Sequence, residues 1–167
     1  MMRQRLDDEV ALDPAGPVDV TLLSAMHGEC FEERWSLQAM NEVIAGPGIF
    51  AMIAHVREDE DAAGRTPIGF AIARVIGEDS ELLSLGVVAS SRRRGVAKQL
   101  VAGMLRQAAR AGARRIFLEV AEDNFAAQGL YRCYGFRLVG RRPDYYRRTG
   151  GGATAALTLR LVLTQAW

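Results

Sequence analysis

The short basic turn Arg92-Arg93-Arg94-Gly95-Val96-Ala97 combines residue types that could hold a phosphate group. It follows an apolar run and precedes a stretch with helical periodicity, so we expect it at the start of a helix. The first turn of a helix presents free backbone N–H groups and the positive end of the helix dipole, and both favour an anion. Gly95 and the small Ala97 let phosphate oxygens approach the backbone. The turn therefore predicts a pyrophosphate site, although a solvated basic loop would explain the same residues.

Two other phosphate-binding motifs do not fit this turn. A P-loop requires the sequence Gly-Lys-Ser/Thr, but Lys98 lies between Ala97 and Gln99. The dinucleotide-binding fingerprint requires three glycines at fixed spacing, and the turn contains only Gly95. The anion predicted here is therefore neither the triphosphate of a P-loop enzyme nor the pyrophosphate of a Rossmann-type site.

Glu119 is the second residue whose surroundings suggest chemistry. It belongs to the run IFLEV at 116–120, which reads as a strand, and strand alternation places it on the same side as Phe117. A carboxylate among apolar neighbours is suited to act as a general base, either directly or through a water molecule. The alternative is a glutamate on a solvated side of the sheet.

Hydrophobic periodicity predicts the elements that must position these residues. It favours helices over 19–30, after Ser36 as N-cap, over 95–111 and over 124–134, and strands over 49–56, 68–76, 81–88, 116–120, 136–140 and 153–163, with an arginine- and tyrosine-rich loop between the last two strands. In the first helix, Val20, Leu23, Met26 and His27 fall on one face. The first three strands are expected to be antiparallel, whereas 81–88, the helix over 95–111 and 116–120 form a right-handed strand–helix–strand unit. The predicted fold is mixed α/β, with six to seven strands and helices on both faces of the sheet.

The composition is that of a globular protein. The 167 residues fit one domain, and the net charge of +1 requires neither nucleic acid nor a membrane as a partner. We expect residues 1–17 to form a flexible leader and 18–167 to form a single domain. The chain lacks an apolar stretch of about 18 residues, which a membrane helix needs. These features predict a cytoplasmic protein.

Cysteine and histidine spacing argues against a metal site. Cys30 and Cys133 are far apart, and His27 and His55 have no partner at metal-ligand spacing. We therefore expect reduced thiols and no bound metal. The basic cluster at 137–148 contains five arginines and one aspartate and is the strongest local charge in the second half of the chain.

Three segments together resemble GNAT-type acetyltransferases. Arg92-x-x-Gly95-x-Ala97 is similar to the Gln/Arg-x-x-Gly-x-Gly/Ala signature of that family, and Leu118-Glu119-Val120, Asn124 and the run LYRCYGF (130–136) follow in the family's order. The run RRPDYY (141–146) resembles the RimI-like subgroup, which acetylates the N-terminal alanine of a ribosomal protein. The resemblance spans about residues 18–163. It implies a GNAT-like, centrally splayed sheet and an acetyl-CoA-dependent N-acetyltransferase.

The resemblance implies how acetyl-CoA would be held. The strand at 85–87 would bond the pantetheine arm, and the N–H of Gly86 or Val87 could stabilise the oxyanion. The turn at 92–97 would hold the pyrophosphate, and Asn124 would contact the cofactor near its thiol while also serving as the N-cap of its helix. The predicted cofactor residues are Leu85, Gly86, Val87, Arg92, Arg93, Arg94, Gly95, Val96, Ala97 and Asn124.

The resemblance also implies catalytic and acceptor residues. Glu119 would be the general base, and Tyr131 would be the general acid for the leaving thiolate, although an ordinary core tyrosine is an equal alternative. Trp35, Tyr145 and Tyr146 would line the acceptor site. Trp35 could instead anchor helix packing, and the two tyrosines could be half-buried loop residues.

Three functions remain open from the sequence. The first is acetylation of the N-terminal α-amino group of a protein, of the ribosomal-protein-alanine type. The second is the same reaction on a small amine or a lysine side chain, since acceptor loops vary within a fold. The third is a non-catalytic acyl-CoA or RNA-binding module, which the combination of Glu119 and Tyr131 disfavours. For the first two we expect no membrane partner and no direct nucleic-acid partner.

Overall fold

A computed structural model of the chain describes residues 10–57, 65–147 and 149–163. In these ranges seven strands form one sheet in the order β1-β2-β3-β4-β5-β7-β6. Four α-helices and the short 3-10 helices Pro17–Asp19 and Ala89–Ser91 complete the described part. The elements are β1 (Val10–Ala15), α1 (Val20–Cys30), α2 (Leu37–Ile44), β2 (Ile49–Arg57), β3 (Arg65–Ile76), β4 (Asp79–Val87), α3 (Val96–Arg110), β5 (Arg115–Ala121), α4 (Phe125–Cys133), β6 (Arg137–Arg147) and β7 (Ala153–Val162).

The sheet is mixed, as the sequence predicts. β1 with β2, β2 with β3, β5 with β7 and β6 with β7 are antiparallel, whereas β4 and β5 are parallel. The parallel register joins Asp79–Leu82 to Arg115–Leu118. Both strands continue beyond these pairs, β4 to Val87 and β5 to Ala121.

The described residues form two compact units. The first unit contains the described part of Met1–Arg74 together with Ser84–Met104, and the second contains Val75–Leu83 and the described part of Leu105–Trp167. The turn at 92–97 belongs to the first unit. Glu119 and Tyr131 belong to the second unit.

In the first unit, two helices follow the sequence signals closely. α1 buries Val20, Leu23, Met26 and His27, which is the face that periodicity predicts. α2 begins after Ser36, whose hydroxyl oxygen accepts a hydrogen bond from the backbone N–H of Ala39 at 3.1 Å. The predicted N-cap is therefore confirmed.

The N-terminal segment corrects one expectation. Residues 10–15, which the sequence places in a flexible leader, form β1 and pair antiparallel with β2, Val10 opposite Val56 and Ala15 opposite Ala51. Pro14 argues against a strand in the sequence, because proline has no N–H to donate to a neighbouring strand. An edge strand such as β1 nevertheless tolerates proline. The leader interpretation is wrong for residues 10–15, and residues 1–9 lie outside the described ranges.

In the second unit, β6 is longer than the sequence predicts. The expected strand over 136–140 and arginine- and tyrosine-rich loop are instead a strand that runs to Arg147. Its pairing with β7 is irregular between Leu138 and Gly140 and again between Arg142 and Tyr146. Such bulges absorb residues that do not fit a regular strand, here Pro143 and Asp144. The polar composition of this segment therefore reflects an exposed edge strand rather than a loop.

A bilayer-spanning helix would need a long apolar segment. None of the helices in the described ranges is long and apolar enough for this.

Candidate active site

The turn predicted to bind pyrophosphate connects β4 to α3 in the first unit. Its backbone is left-handed at Arg93 (φ 63°) and Gly95 (φ 84°), a conformation that glycine adopts readily and arginine adopts rarely. α3 begins at Val96, and the backbone N–H of Gln99 donates to the carbonyl of Gly95 at 3.1 Å. The N–H groups of Val96 and Ala97 lie in the first turn of this helix, where an anion site at a helix start needs its donors.

Arg92 is turned back against the end of β4. Its Nε donates a hydrogen bond to the carbonyl oxygen of Val87 at 3.0 Å. The same guanidinium is near Cys30, where burial raises the pKa of the thiol and Arg92 partly opposes that rise. Arg92 thus fixes the start of the turn, while the side chains of Arg93 and Arg94 are exposed.

Gly86 lies where only a residue without a side chain fits. A Cβ atom at this position would be 2.7 Å from Cε1 of Phe70 and 2.9 Å from Sγ of Cys30. Gly86 is buried, whereas Leu85 and Val87 on either side are partly exposed. Close packing on one face of β4 therefore coexists with two partly exposed residues on the other.

Trp35 is part of an aromatic stack in the first unit. Its ring lies on His27, with centroids 4.6 Å apart and 20° between the planes, and Phe31 stacks on His27 at 4.5 Å. The backbone N–H of Trp35 donates to Nδ1 of His27 at 3.2 Å, and the hydroxyl of Ser24 donates to the carbonyl of Trp35 at 3.3 Å. Trp35 thus anchors the connection from α1 to α2, which is the packing role that the sequence left open.

His27 is a residue of this region whose role sequence reasoning missed. Its side chain is buried, and burial lowers its pKa, so the neutral ring accepts the hydrogen bond from Trp35. Helical spacing does not reveal this stack, because α1 ends at Cys30 and Phe31 and Trp35 lie beyond it.

In the second unit, Glu119 faces a cation. It shares the less buried face of β5 with Phe117, as alternation predicts, and its side chain is 24% exposed. Nε of Arg142 lies 3.3 Å from its Oε1. The carboxylate therefore has an ionic partner, which the apolar sequence around it does not suggest.

Tyr131 is a buried residue of α4. Its ring meets Phe136 edge to face, with centroids 5.6 Å apart. Burial, with a smaller effect from Tyr146, raises the pKa of Tyr131 to about 12. The phenol is thus a core residue that also stays protonated through the neutral pH range.

The connection from β5 to α4 is held by two amide side chains. Asn124 caps α4, since its Oδ1 accepts a hydrogen bond from the N–H of Ala127 at 3.1 Å. Nε2 of Gln128 donates to the carbonyls of Ala121 at 3.1 Å and Glu122 at 2.8 Å. The capping role of Asn124 is confirmed, and Gln128, one turn further along the helix, is a second residue that sequence reasoning missed.

Tyr145 and Tyr146 lie near the end of β6. Their rings are perpendicular with centroids 5.1 Å apart, and the guanidinium of Arg142 lies 5.2 Å from the centroid of Tyr145. Tyr145 is 48% exposed, and Tyr146 is partly buried. The structure therefore brings Glu119, Arg142 and Tyr145 into one chain of contacts.

No group of three or more metal-ligating side chains occurs within the described ranges. The chemistry that these ranges offer is that of backbone donors in the first unit and of charged and phenolic side chains in the second.

Comparison with known proteins assigns the chain to a family. Residues 21–136 match the model of the Acetyltransferase (GNAT) family. The chain belongs to the GNAT acetyltransferase family. It is similar to the N-alpha-acetyltransferase RimI of Mycobacterium tuberculosis, with 32% identity over 73% of each chain. The predicted family, mixed α/β fold and acetyltransferase activity are thereby confirmed.

Solved structures share this fold. The ribosomal-protein-S18-alanine N-acetyltransferase of Escherichia coli superposes with a TM-score of 0.82 at 20% identity, covering 95% of this chain and 96% of the other. NAA60 of Arabidopsis thaliana, solved with a bisubstrate analogue, gives a TM-score of 0.79 at 25% identity over 92% and 97%. A second relative by sequence, the histone acetyltransferase MCC1 of Arabidopsis thaliana, is 29% identical over 80% of this chain, which spans 62% of its length.

Proposed function

We propose that this acetyltransferase transfers the acetyl group of acetyl-CoA to the N-terminal α-amino group of a protein, and that an alanine-starting ribosomal protein is the first candidate acceptor. The observation that carries this proposal is the similarity to an N-alpha-acetyltransferase over most of both chains. A bS18-alanine N-acetyltransferase of Haemophilus ducreyi, 31% identical over 58% of this chain, supports the acceptor. The proposed setting is the cytoplasm, where ribosomal proteins are made.

Acetyl-CoA is the acetyl donor in this proposal. A structural neighbour, NAA60, was solved in complex with acetyl-CoA. Two features of the first unit support the same ligand here: the helix-start N–H groups at Val96 and Ala97, and the partly exposed residues Leu85 and Val87 of β4. The turn would hold the pyrophosphate, β4 would bond the pantetheine arm, and Asn124, whose cap uses only Oδ1, would contact the cofactor near its thiol.

The proposed reaction begins with removal of a proton from the acceptor ammonium by Glu119, directly or through a water molecule. The neutral amine then attacks the thioester carbonyl, and a backbone N–H of Gly86 or Val87 stabilises the oxyanion. The carbon–sulfur bond breaks as the amide forms, which leaves CoA as a thiolate. The products are the acetylated amine and CoA, with the amine's proton available to neutralise the thiolate.

Tyr131 stabilises the leaving thiolate in this scheme. Because burial raises its pKa to about 12, it stays a hydrogen-bond donor at neutral pH. Full proton transfer to a thiolate, whose thiol has a pKa of about 8.5 when unperturbed, would be uphill. We therefore assign Tyr131 the role of donating a hydrogen bond to the sulfur, with the final proton coming from the amine.

Trp35, Tyr145 and Tyr146 are the proposed acceptor residues. Tyr145 is exposed enough to meet a peptide, while Trp35 would act chiefly by fixing the α1–α2 connection through its stack on His27. A lysine side chain is the second candidate acceptor, because the histone acetyltransferase MCC1 is similar over most of this chain.

A matched peptide series tests the proposal. We expect CoA release with a lysine-free peptide that has a free N-terminal alanine, less with serine or methionine in that place, and none with the same peptide blocked at its N-terminus. An N-terminally blocked peptide with an internal lysine reports the second candidate. Release with that peptide or with free polyamines, and none with the alanine-starting peptide, would contradict acetylation of protein N-termini.

Binding of the donor is tested separately. Acetyl-CoA at about 100 times its Kd should stabilise the protein by about 2.7 kcal/mol, which a thermal shift detects. Pantetheine is the control, because it lacks the pyrophosphate and should protect less. No protection by acetyl-CoA would overturn the cofactor assignment.

A further inference from the structure

Arg142 lies between the two functional groups proposed in the second unit. On one side its Nε is 3.3 Å from Oε1 of Glu119, and on the other its guanidinium is 5.2 Å from the ring centroid of Tyr145. An arginine can engage a carboxylate and an aromatic ring together because its planar guanidinium both donates hydrogen bonds and stacks. The arrangement joins the proposed base to a proposed acceptor residue.

A bulge in β6 makes this arrangement possible. In a regular strand, residues three apart point to opposite faces, so Arg142 and Tyr145 would not meet. Between the pairs Arg142–Ala156 and Tyr146–Thr154, β6 has three residues where β7 has one, and Asp144 in this segment is left-handed with φ 52°. The extra residues re-aim Tyr145 toward Arg142, which is a common effect of bulges.

Small residues give Arg142 its path to Glu119. β7 lies between β6 and β5, and the residue opposite Arg142 in β7 is Ala156. Ala156 is in turn opposite Ala121 of β5, two residues after Glu119 and on the same face. The arginine side chain can therefore extend over β7 without meeting a large side chain at this position.

We propose that Arg142 is a positioning residue that holds the carboxylate of Glu119 toward β6 and couples it to Tyr145. The inference rests on the proposed function, because it takes Glu119 to be the base. Arg142 touches neither donor nor acceptor in this proposal; it acts through the orientation of Glu119. Its loss should therefore lower kcat and leave the KM for the acceptor nearly unchanged.

The adjacent arginine provides a matched control. Arg141 also pairs with a glutamate of the second unit, through two hydrogen bonds of 2.8 Å to Glu122. Neighbouring strand residues point to opposite faces, so the two ion pairs are separate. Arg141→Ala removes a comparable exposed ion pair without touching Glu119.

The experiment measures kcat and KM with the 167-residue chain and the alanine-starting peptide. We expect Arg142→Ala to lower kcat about tenfold, within the range of coupling between contacting residues, and Arg142→Lys to recover part of it. Arg141→Ala should stay within about twofold of the unaltered protein, as the loss of an exposed ion pair costs little. Melting temperatures identify any variant that fails to fold, and Arg142→Lys then serves as the test.

A double-mutant cycle separates positioning from general structure. If Arg142 acts through Glu119, then Arg142→Ala should have no further effect on kcat in a Glu119→Gln background. An equal loss in both backgrounds, a change confined to KM, or an equal loss in Arg141→Ala would overturn the inference. Full activity of Glu119→Gln alone would instead overturn the base assignment, so the two failures are distinguishable.

Tyr145 gives a second line of evidence. Tyr145→Leu removes the cation–π contact with Arg142, worth about 0.5–1 kcal/mol at exposed sites, whereas Tyr145→Phe keeps a ring beside Arg142 and should lower kcat less than Tyr145→Leu does. A two- to fivefold loss in Tyr145→Leu that disappears in Arg142→Ala supports the coupling. A loss that persists there contradicts it.

Discussion

The two units of this acetyltransferase build their proposed functional surfaces from different parts of the polypeptide. In the first unit, the turn after β4 offers backbone N–H groups in a left-handed segment, and Gly86 is required by close packing. In the second unit, the contacts that matter join side chains, Glu119 to Arg142 and Arg142 to Tyr145. One region depends on the shape of the backbone and the other on chemical groups.

The difference predicts how each unit responds to substitution. A site built from backbone N–H groups, as in the first unit, tolerates changes of exposed side chains. It does not tolerate a new Cβ atom where chains pack closely, or a change of φ angle. A side-chain site tolerates neither deletion of the functional group nor its isosteric replacement, because the charge or proton itself is used. Five substitutions and one control test this difference between the units.

The largest effect is expected for Glu119→Gln in the second unit. The substitution preserves size but removes the basic oxygen, and kcat should fall about 100-fold, at the lower end of general-base contributions. Steady-state kinetics with the alanine-starting peptide measure this. Glu122→Gln, which alters the neighbouring ion pair with Arg141, is the control and should retain nearly full activity. Equal losses in both variants would mean that Glu119 has no special role.

The next effect concerns glycine in the two units. Gly86→Ala places a Cβ 2.7 Å from Phe70 and should lower the free energy of unfolding by about 1–3 kcal/mol. Gly129→Ala in α4 of the second unit meets nothing within 4 Å and should raise it by about 0.5–1 kcal/mol. Urea unfolding measures both. A neutral Gly86→Ala would show that the first unit does not depend on close backbone packing there.

A smaller effect, on folding stability at alkaline pH, is expected from Tyr131. Its pKa of about 12 exceeds the ordinary 10.0, so the unfolded chain releases the proton first and folding stability falls as pH rises. The loss should approach about 1.4 kcal/mol per pH unit between pH 10 and 12. Tyr131→Phe should lack this part of the pH dependence, which urea unfolding at pH 9 and 11 can reveal. Parallel curves for both proteins would contradict a buried neutral phenol.

The smallest effect, on folding stability at mildly acidic pH, is expected from His27 in the first unit. Burial lowers its pKa from 6.5, so the neutral ring is the folded form and stability is lost as pH falls below 6.5. His27→Gln keeps an acceptor for the N–H of Trp35 but cannot titrate. Unfolding curves at pH 7 and pH 5 should therefore differ less for the variant than for the unaltered protein. An identical pH dependence would show that His27 is not the titrating group.

Much of the fold follows from local patterns. The buried face of α1, the Ser36 cap of α2, the Asn124 cap of α4 and the alternation around Glu119 are all set within a few residues, so periodicity and capping rules predict them. β1 and the second half of β6 were missed because their residues are polar or include proline. Those segments form strands because they pair with β2 and β7. Such pairing is not visible in the local strand propensity of their residues.

The family follows from the sequence alone, because the order of the short motifs from Arg92 to Phe136 matches the GNAT acetyltransferases. The sequence also determined the residue types at the turn and on β5. Three contacts become visible only in the folded chain: Arg92 bonds the end of β4, His27 supports Trp35, and Arg142 faces Glu119 across β7. Such contacts join residues distant in sequence or depend on a bulge, and neither periodicity nor spacing encodes the register that creates them.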